Sequence, residues 1–259
     1  MKTGTPMIAP TLLMAWFAAS LPVAATDWRT LPFITNGRID PAWQQVDWGG
    51  FVVDQGALRT QPDPRGMGLL VYTRAAFGDC RIRVVYRSEK PSSNAGVFVR
   101  LDPGILQRLG EKTEGVERGP NNQLSPPMLA RMTASSEKQA GAWYAVHHGF
   151  EVQIQDSGDS WHRTGAIYSL AEAVEAKARP GAEWRTMIIT LEGSRISVTV
   201  DGKAVSSFDS SAKNLPARRS WSEPVRENVR PNKGYIGLQN HDPGDVVWFK
   251  EVAVAGLKD

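Results

Sequence analysis

Short runs of alternating apolar and polar residues, cut by Gly, Pro, Asn and Asp, restrict this chain more than any other feature. A period of two sends successive side chains to opposite faces of a sheet. In residues 150–155 (FEVQIQ), Phe150, Val152 and Ile154 share one face, and Glu151, Gln153 and Gln155 the other. Residues 82–86, 97–99, 187–191, 196–200, 235–241 and 246–254 read as further strands. Glu192-Gly193-Ser194 turns one strand into the next, and Asp201-Gly202 is a strong signal for a tight hairpin. The best short helix candidate is 170–177 (LAEAVEAK). The pattern predicts an all-β sandwich of two antiparallel sheets, with its first and last strands paired.

All-β sandwiches reach 259 residues as single units, so one domain is expected over 26–259. Lys2, the apolar run 7–19 and Val23-Ala24-Ala25 read as a signal peptide over 1–25, cut after Ala25. That places the protein in the periplasm or outside the cell, with no membrane attachment after cleavage. Cys80 is the single cysteine, which rules out an internal disulfide and reads as a small buried hydrophobe. A net charge of +3, without basic runs interleaved with aromatics, argues against nucleic acid as a partner.

Two stretches break the strand rhythm. Residues 101–149 are rich in Gly, Pro and Asn and end on Trp143-Tyr144 and His147-His148. Residues 210–233 carry Arg218, Arg219, Trp221, Arg226 and Arg230. Loops longer than about 12–15 residues are usually functional or disordered.

Parity then selects candidate site residues. Asn94 and Arg100 fall on one face of a strand, Glu151 and Gln153 on one face of a second, and Gln239 and His241 on one face of a third. Any wet sheet face alternates in this way. The residue types are what distinguish it, because amides and guanidinium offer fixed donors to vicinal hydroxyls. A carbohydrate is the expected partner. Ordinary glycoside hydrolysis needs two flanking carboxylates, whereas Glu151 is the one carboxylate among positions 151, 153 and 155. Asp156 points the other way on a regular strand. No metal-ligand spacing or nucleophile motif stands out.

The runs NAGVFVR (94–100), GFEVQIQD (149–156), TGAIYSL (164–170), EWRTMIITLEGSRISVTVDGKAV (183–205) and GYIGLQNHDPGDVVWFKEVAV (234–254) occur in that order. Together with the weaker FITNGRIDPAW (33–43), they resemble the 3-keto-disaccharide hydrolase (DUF1080) family over nearly all of the mature chain. The resemblance implies a concanavalin A-like jelly-roll sandwich acting on glycosides whose glucose carries a ketone at C3. Such a ketone acidifies the C2 hydrogen, so one base and a group holding the enolate oxygen suffice. The resemblance implies Glu151 or His241 as base and Arg100 as enolate stabiliser. It implies Asn94, Gln153, Asp156, Tyr168 and Gln239 as substrate-binding groups. No cofactor is required by the sequence, and a divalent metal is compatible with the scheme. The chain departs from the family pattern at Cys80, Ala95, Phe150 and Arg185. Its 101–149 stretch is longer than the pattern expects, and is read as a lid over the Glu151 strand. Two other classes remain open: a non-catalytic lectin-like module, and a structural or adhesion domain.

Overall fold

The computed structural model describes residues 27–115, 118–119, 123–175 and 183–257, together with Met1. Apart from Met1, the leader expected over 1–25 lies outside the described residues. The chain opens with β1 (Arg29–Thr30), β2 (Ile34–Thr35), β3 (Arg38–Ile39), β4 (Trp43–Asp47), β5 (Gly50–Asp54) and β6 (Ala57–Gln61). Then come β7 (Gly68–Phe77), β8 (Cys80–Ser88) and β9 (Ala95–Leu101), a 3-10 turn at Pro103–Arg108, and helices α1 (Pro126–Glu137) and α2 (Trp143–His148). β10 (Phe150–Ile154), β11 (Arg185–Glu192), β12 (Arg195–Val200), β13 (Lys203–Asp209), β14 (Gly234–Asn240) and β15 (Val247–Ala255) complete it.

Two antiparallel sheets stack to form the jelly roll. One runs β13-β12-β11-β8-β15-β6-β5 with β1 added on β15, and the other runs β10-β9-β14-β7-β4. The expected pairing of chain ends holds: Arg29 faces Val254, and Thr30 faces Ala253. Asp201 and Gly202 both adopt positive φ, 50° and 79°. That conformation lets a two-residue loop follow the twist of its flanking strands.

The main core lies between the sheets. Ile82, Val84 and Tyr86 of β8 meet Phe150, Val152 and Ile154 of β10 within one apolar cluster. Each such side chain contributes about 1.5–3 kcal/mol when fully buried. The alternation that buries Phe150, Val152 and Ile154 turns Glu151 and Gln153 to the outer face of the five-stranded sheet.

The described residues of the 101–149 stretch form the cover of that outer face. Leu101, Ile105, Ala142, Ala145 and Val146 pack on Val46, Leu69, Val71 and Phe98 in a second apolar cluster. The helices in this stretch were not expected from the sequence. Pro126 and Pro127 occupy the start of α1, where a missing N–H costs nothing. Ser136 is the one buried residue of α1, so it carries no apolar stripe to read.

The short helix expected over 170–177 is absent from its described part, 170–175. There the backbone bonds to other segments: Ala173 N donates to Ser160 O (2.8 Å), and Val174 N to Val205 O (2.9 Å). Leu170 and Ala173 are buried in the main core, and this tertiary packing overrides local helix propensity.

Candidate active site

Strands β10, β9 and β14 lie side by side and bring together residues from three distant segments. Gln153 pairs across the ladder with Gly96, and Glu151 with Phe98. Gly96 makes room for the acid: a Cβ built there would overlap Glu151 Oε1. Gln153 Nε2 donates to Asn94 Oδ1 (2.8 Å), which fixes both amides at the cleft floor. Gln239 stands beside the Glu151 carboxyl, and His241 follows just past the end of β14. Tyr168 is held by its backbone N–H, which donates to Glu151 O (2.9 Å).

Three contiguous cavities open over this floor. A small one of about 60 Å³ is lined by Glu151, Gln153, Gln239 and His241. A second, of about 340 Å³, lies beneath the 101–149 cover. A third, of about 430 Å³, extends toward Asp159 and His162. Asn94, Tyr168 and Ser222 line all three. Thus Asn94, Glu151, Gln153, Gln239 and His241, selected by strand parity, converge, and Tyr168, named by the resemblance, joins them.

Burial sets the electrostatics. Glu151 is 7% exposed, and loss of hydration pushes its carboxyl up to about 8, against the opposing pull of His241 and Gln239. For His241, burial opposes the imidazolium, but the hydrogen bond to Asp245 and the charges of Asp242, Asp245 and Glu151 outweigh it and raise the pKa. His241 Nδ1 lies 3.2 Å from Asp245 Oδ2, leaving Nε2 as its other functional nitrogen. Burial likewise pushes the Tyr168 hydroxyl up to about 12, so it remains a donor at ordinary pH. Gln153 Oε1 and Gln239 Oε1 are buried without a hydrogen-bond partner. Unpaired buried acceptors of this kind cost free energy until a ligand donor meets them.

Two expected site residues lie elsewhere. Arg100 does not face the cleft. Tyr235 of β14 faces Leu101 and Gly237 faces Phe98, so β9 fits one extra residue into that interval. This bulge puts Arg100 at φ 51° and reverses its side. Its guanidinium is 1% exposed and donates to Gly193 O (2.6 Å). Asp156 is likewise a structural group. It accepts from Arg185 Nη1 (2.8 Å) and from Thr164 Oγ1 (2.6 Å), and it lines none of the three cavities.

His241, Asp242 and Asp245 have donor types suited to a divalent cation, with ligand atoms within 4.8 Å of one another. Asp242 Oδ1 carries the Arg118 guanidinium (2.6 Å), and Asp245 Oδ2 lies 3.2 Å from His241 Nδ1, so the three side chains stand as a hydrogen-bonded charge cluster.

The cover is anchored at two points. Asp47 accepts from Thr113 N (3.0 Å) and from Ala142 N (3.1 Å), tying two separate points of the inserted stretch to β4. Buried His147 accepts from Val225 N at Nδ1 (3.1 Å), so its proton resides on Nε2, which donates to Ser136 Oγ (3.1 Å). Ser136 in turn donates to Trp221 O (2.8 Å). Burial lowers the His147 pKa to about 4, which keeps this bridge neutral at physiological pH. Met67, Trp143 and Trp221 line the cavity beneath the cover, and parity gave no sign of them as site residues.

An antiparallel jelly roll with a polar cleft on one sheet is an architecture that lectin domains share with other proteins. Comparison with solved structures agrees on the fold. A candidate glycosyl hydrolase from Parabacteroides distasonis superposes with a TM-score of 0.52 at 19% identity, over 80% of this chain and 90% of that one. A second from the same organism gives 0.54 at 15% identity, over 86% and 92%. A carbohydrate-binding module from Bacillus subtilis gives 0.50 at 11%, over 87% and 100%. No curated protein matches the sequence. The model of the 3-keto-alpha-glucoside-1,2-lyase-like domain matches residues 27–255, and the chain belongs to that family. Membership ties it to the carbohydrate chemistry of 3-keto-glycosides. Among the described residues, no helix is long and apolar enough to cross a membrane.

Proposed function

We propose that the cleft binds a glycoside carrying a ketone at C3 and releases its aglycone by elimination across C1 and C2. The Glu151 carboxylate takes the C2 proton that the neighbouring ketone acidifies. The C2–H electrons pass first to the C3 oxygen, giving an enolate, and its collapse restores the ketone and forms the C1=C2 bond as the C1–O bond breaks. His241, oriented by Asp245, supplies the proton that the departing oxygen takes. Water adding back across C1=C2 converts the same sequence into net hydrolysis. The Tyr168 hydroxyl and the Asn94 amide hold the enolate oxygen, the role expected of Arg100 from the sequence. The buried Gln153 and Gln239 carbonyls accept sugar hydroxyls.

The observation that carries this reading is the Glu151 carboxyl, held largely out of water with its pKa up to about 8, beside His241 and unfilled amide acceptors. One strong base and one acid meet the needs of elimination, and the described cleft floor holds no second carboxylate. The direct test is incubation of the protein with a 3-keto-disaccharide while free sugar is followed. Binding without release would favour a lectin-like module instead.

Three further outcomes are expected. The acid limb of kcat/KM should lie near pH 8, because Glu151 must be ionised to act as base. The His241 charge lowers the Glu151 pKa. In His241→Ala the residual activity should therefore show its acid limb shifted upward. An unshifted limb would mean that the two groups do not interact. Gly96→Ala should drive the Glu151 carboxyl from its place and cut turnover by about a hundredfold, in line with misplacement of a reacting group by ~1 Å. Steady-state kinetics with a circular dichroism check reads this, and normal turnover would show that Glu151 can act from elsewhere.

A further inference from the structure

The cavity beneath the cover, about 340 Å³, has a wall of different character from the floor around Glu151. Trp143 and Trp221 meet at 5.3 Å between ring centroids, tilted by 57°. Met67, Leu124 and Met132 line the same space. Its charged groups already have partners within the protein. Asp47 accepts from Thr113 and Ala142, Arg65 pairs with Asp63 (2.7 Å), Arg118 with Asp242 (2.6 Å) and Glu114 with Arg131 (3.4 Å). The floor is the reverse, with Gln153 Oε1 and Gln239 Oε1 buried and unpaired. A hydroxyl-rich ring gains most where acceptors are unfilled, and a flat apolar ring gains most against indoles and thioethers. Met67, Trp143 and His241 line both this cavity and the one at Glu151, so one ligand can span them.

We propose that this cavity is an aglycone subsite for an aromatic ring, so that the substrate is an aryl 3-keto-glucoside and not a disaccharide. The proposal rests on the elimination reading above and adds to it the class of the leaving group. A volume of this size is at the lower end of small-molecule pockets and admits a ring system of one or two fused rings. The wall exists because the inserted stretch supplies Leu124, Met132 and Trp143 while the 210–233 loop supplies Trp221. The leaving-group preference is therefore a property of this chain's own cover.

Binding tests the proposal better than turnover, because phenols depart more readily than sugars whatever the subsite. Calorimetry on Glu151→Gln would compare methyl 3-keto-glucoside, 2-naphthyl 3-keto-glucoside and 3-keto-trehalose. The naphthyl compound should bind about tenfold or more tightly than the methyl one, from ring burial and indole contact. The disaccharide should gain little over methyl. Trp221→Ala should erase most of the naphthyl-to-methyl ratio, and Met132→Gln should reduce it. The second variant carries the test if loss of the indole unseats the loop. A disaccharide that binds more tightly than the naphthyl compound overturns the proposal, as does a ratio that survives both substitutions. Cleavage of methyl 3-keto-glucoside by the parent protein without aryl preference removes the subsite alone. Failure of the parent protein to bind or cleave any of the three compounds removes the elimination reading as well.

Discussion

Glu151→Gln is expected to release no aglycone and yet to melt several degrees above the parent protein at pH 9. The unfolded chain gives up this proton near 4.5, whereas the folded chain holds it to about 8. Between those values the native state binds more protons than the unfolded state, so stability falls as pH rises through the window. Below the lower value the acid is neutral in both states and costs nothing extra. Above the upper one the full penalty of a buried carboxylate is present, at about 1.4 kcal/mol per unit of displacement. A neutral amide of the same shape removes the penalty. In a domain of this size each kcal/mol moves the midpoint by about 2–4 °C. Melting curves of both proteins at pH 4 and pH 9 check it. The gain should be large at pH 9 and vanish at pH 4, and an equal difference at both would show that the carboxyl is not the source. Loss of turnover together with gain of stability is what a strained functional group predicts.

Asp156→Ala should have the opposite character, with a large loss of stability and no loss of sugar affinity. Arg185 is 3% exposed and lies between Asp156 (2.8 Å) and Asp201 (3.0 Å). Removing one member of a buried ion pair leaves a charge poorly compensated, which typically costs about 3–5 kcal/mol. Thr164 loses its acceptor at the same time. Urea unfolding should show the midpoint fall with its slope preserved. The folded variant should bind a 3-keto-glucoside within about twofold of the parent protein, since Asp156 lines none of the three cavities. A folded variant that no longer binds sugar would return Asp156 to the cleft.

The contrast between these two acids marks what could be read from the residues alone. Alternation in FEVQIQ put Glu151 and Gln153 on the wet face, and the same parity carried Gln239 and His241 there. Those positions obey a period of two, and the sheet keeps it. Arg100 obeyed it on paper only, because one extra residue in β9 reverses the side at that point. A bulge at a non-glycine residue leaves no mark in NAGVFVR. Asp156, expected to touch the substrate, is instead held by Arg185, 29 positions away and itself a departure from the family pattern. The cover was opaque for a different reason. Its helices lack periodic apolar faces, and Trp143 and Trp221 meet across 78 positions of chain through bonds centred on His147. Long-range contact of that kind has no local signature.

The two apolar clusters lie on opposite faces of the same five-stranded sheet and do not merge. The core between the stacked sheets is therefore built without side chains from the inserted stretch. Changes in the wall around the leaving group can accumulate without loosening the foundation, and a new preference can evolve there while the residues that move protons stay fixed in their strands. In such a molecule choice of substrate and durability of the scaffold are separately adjustable.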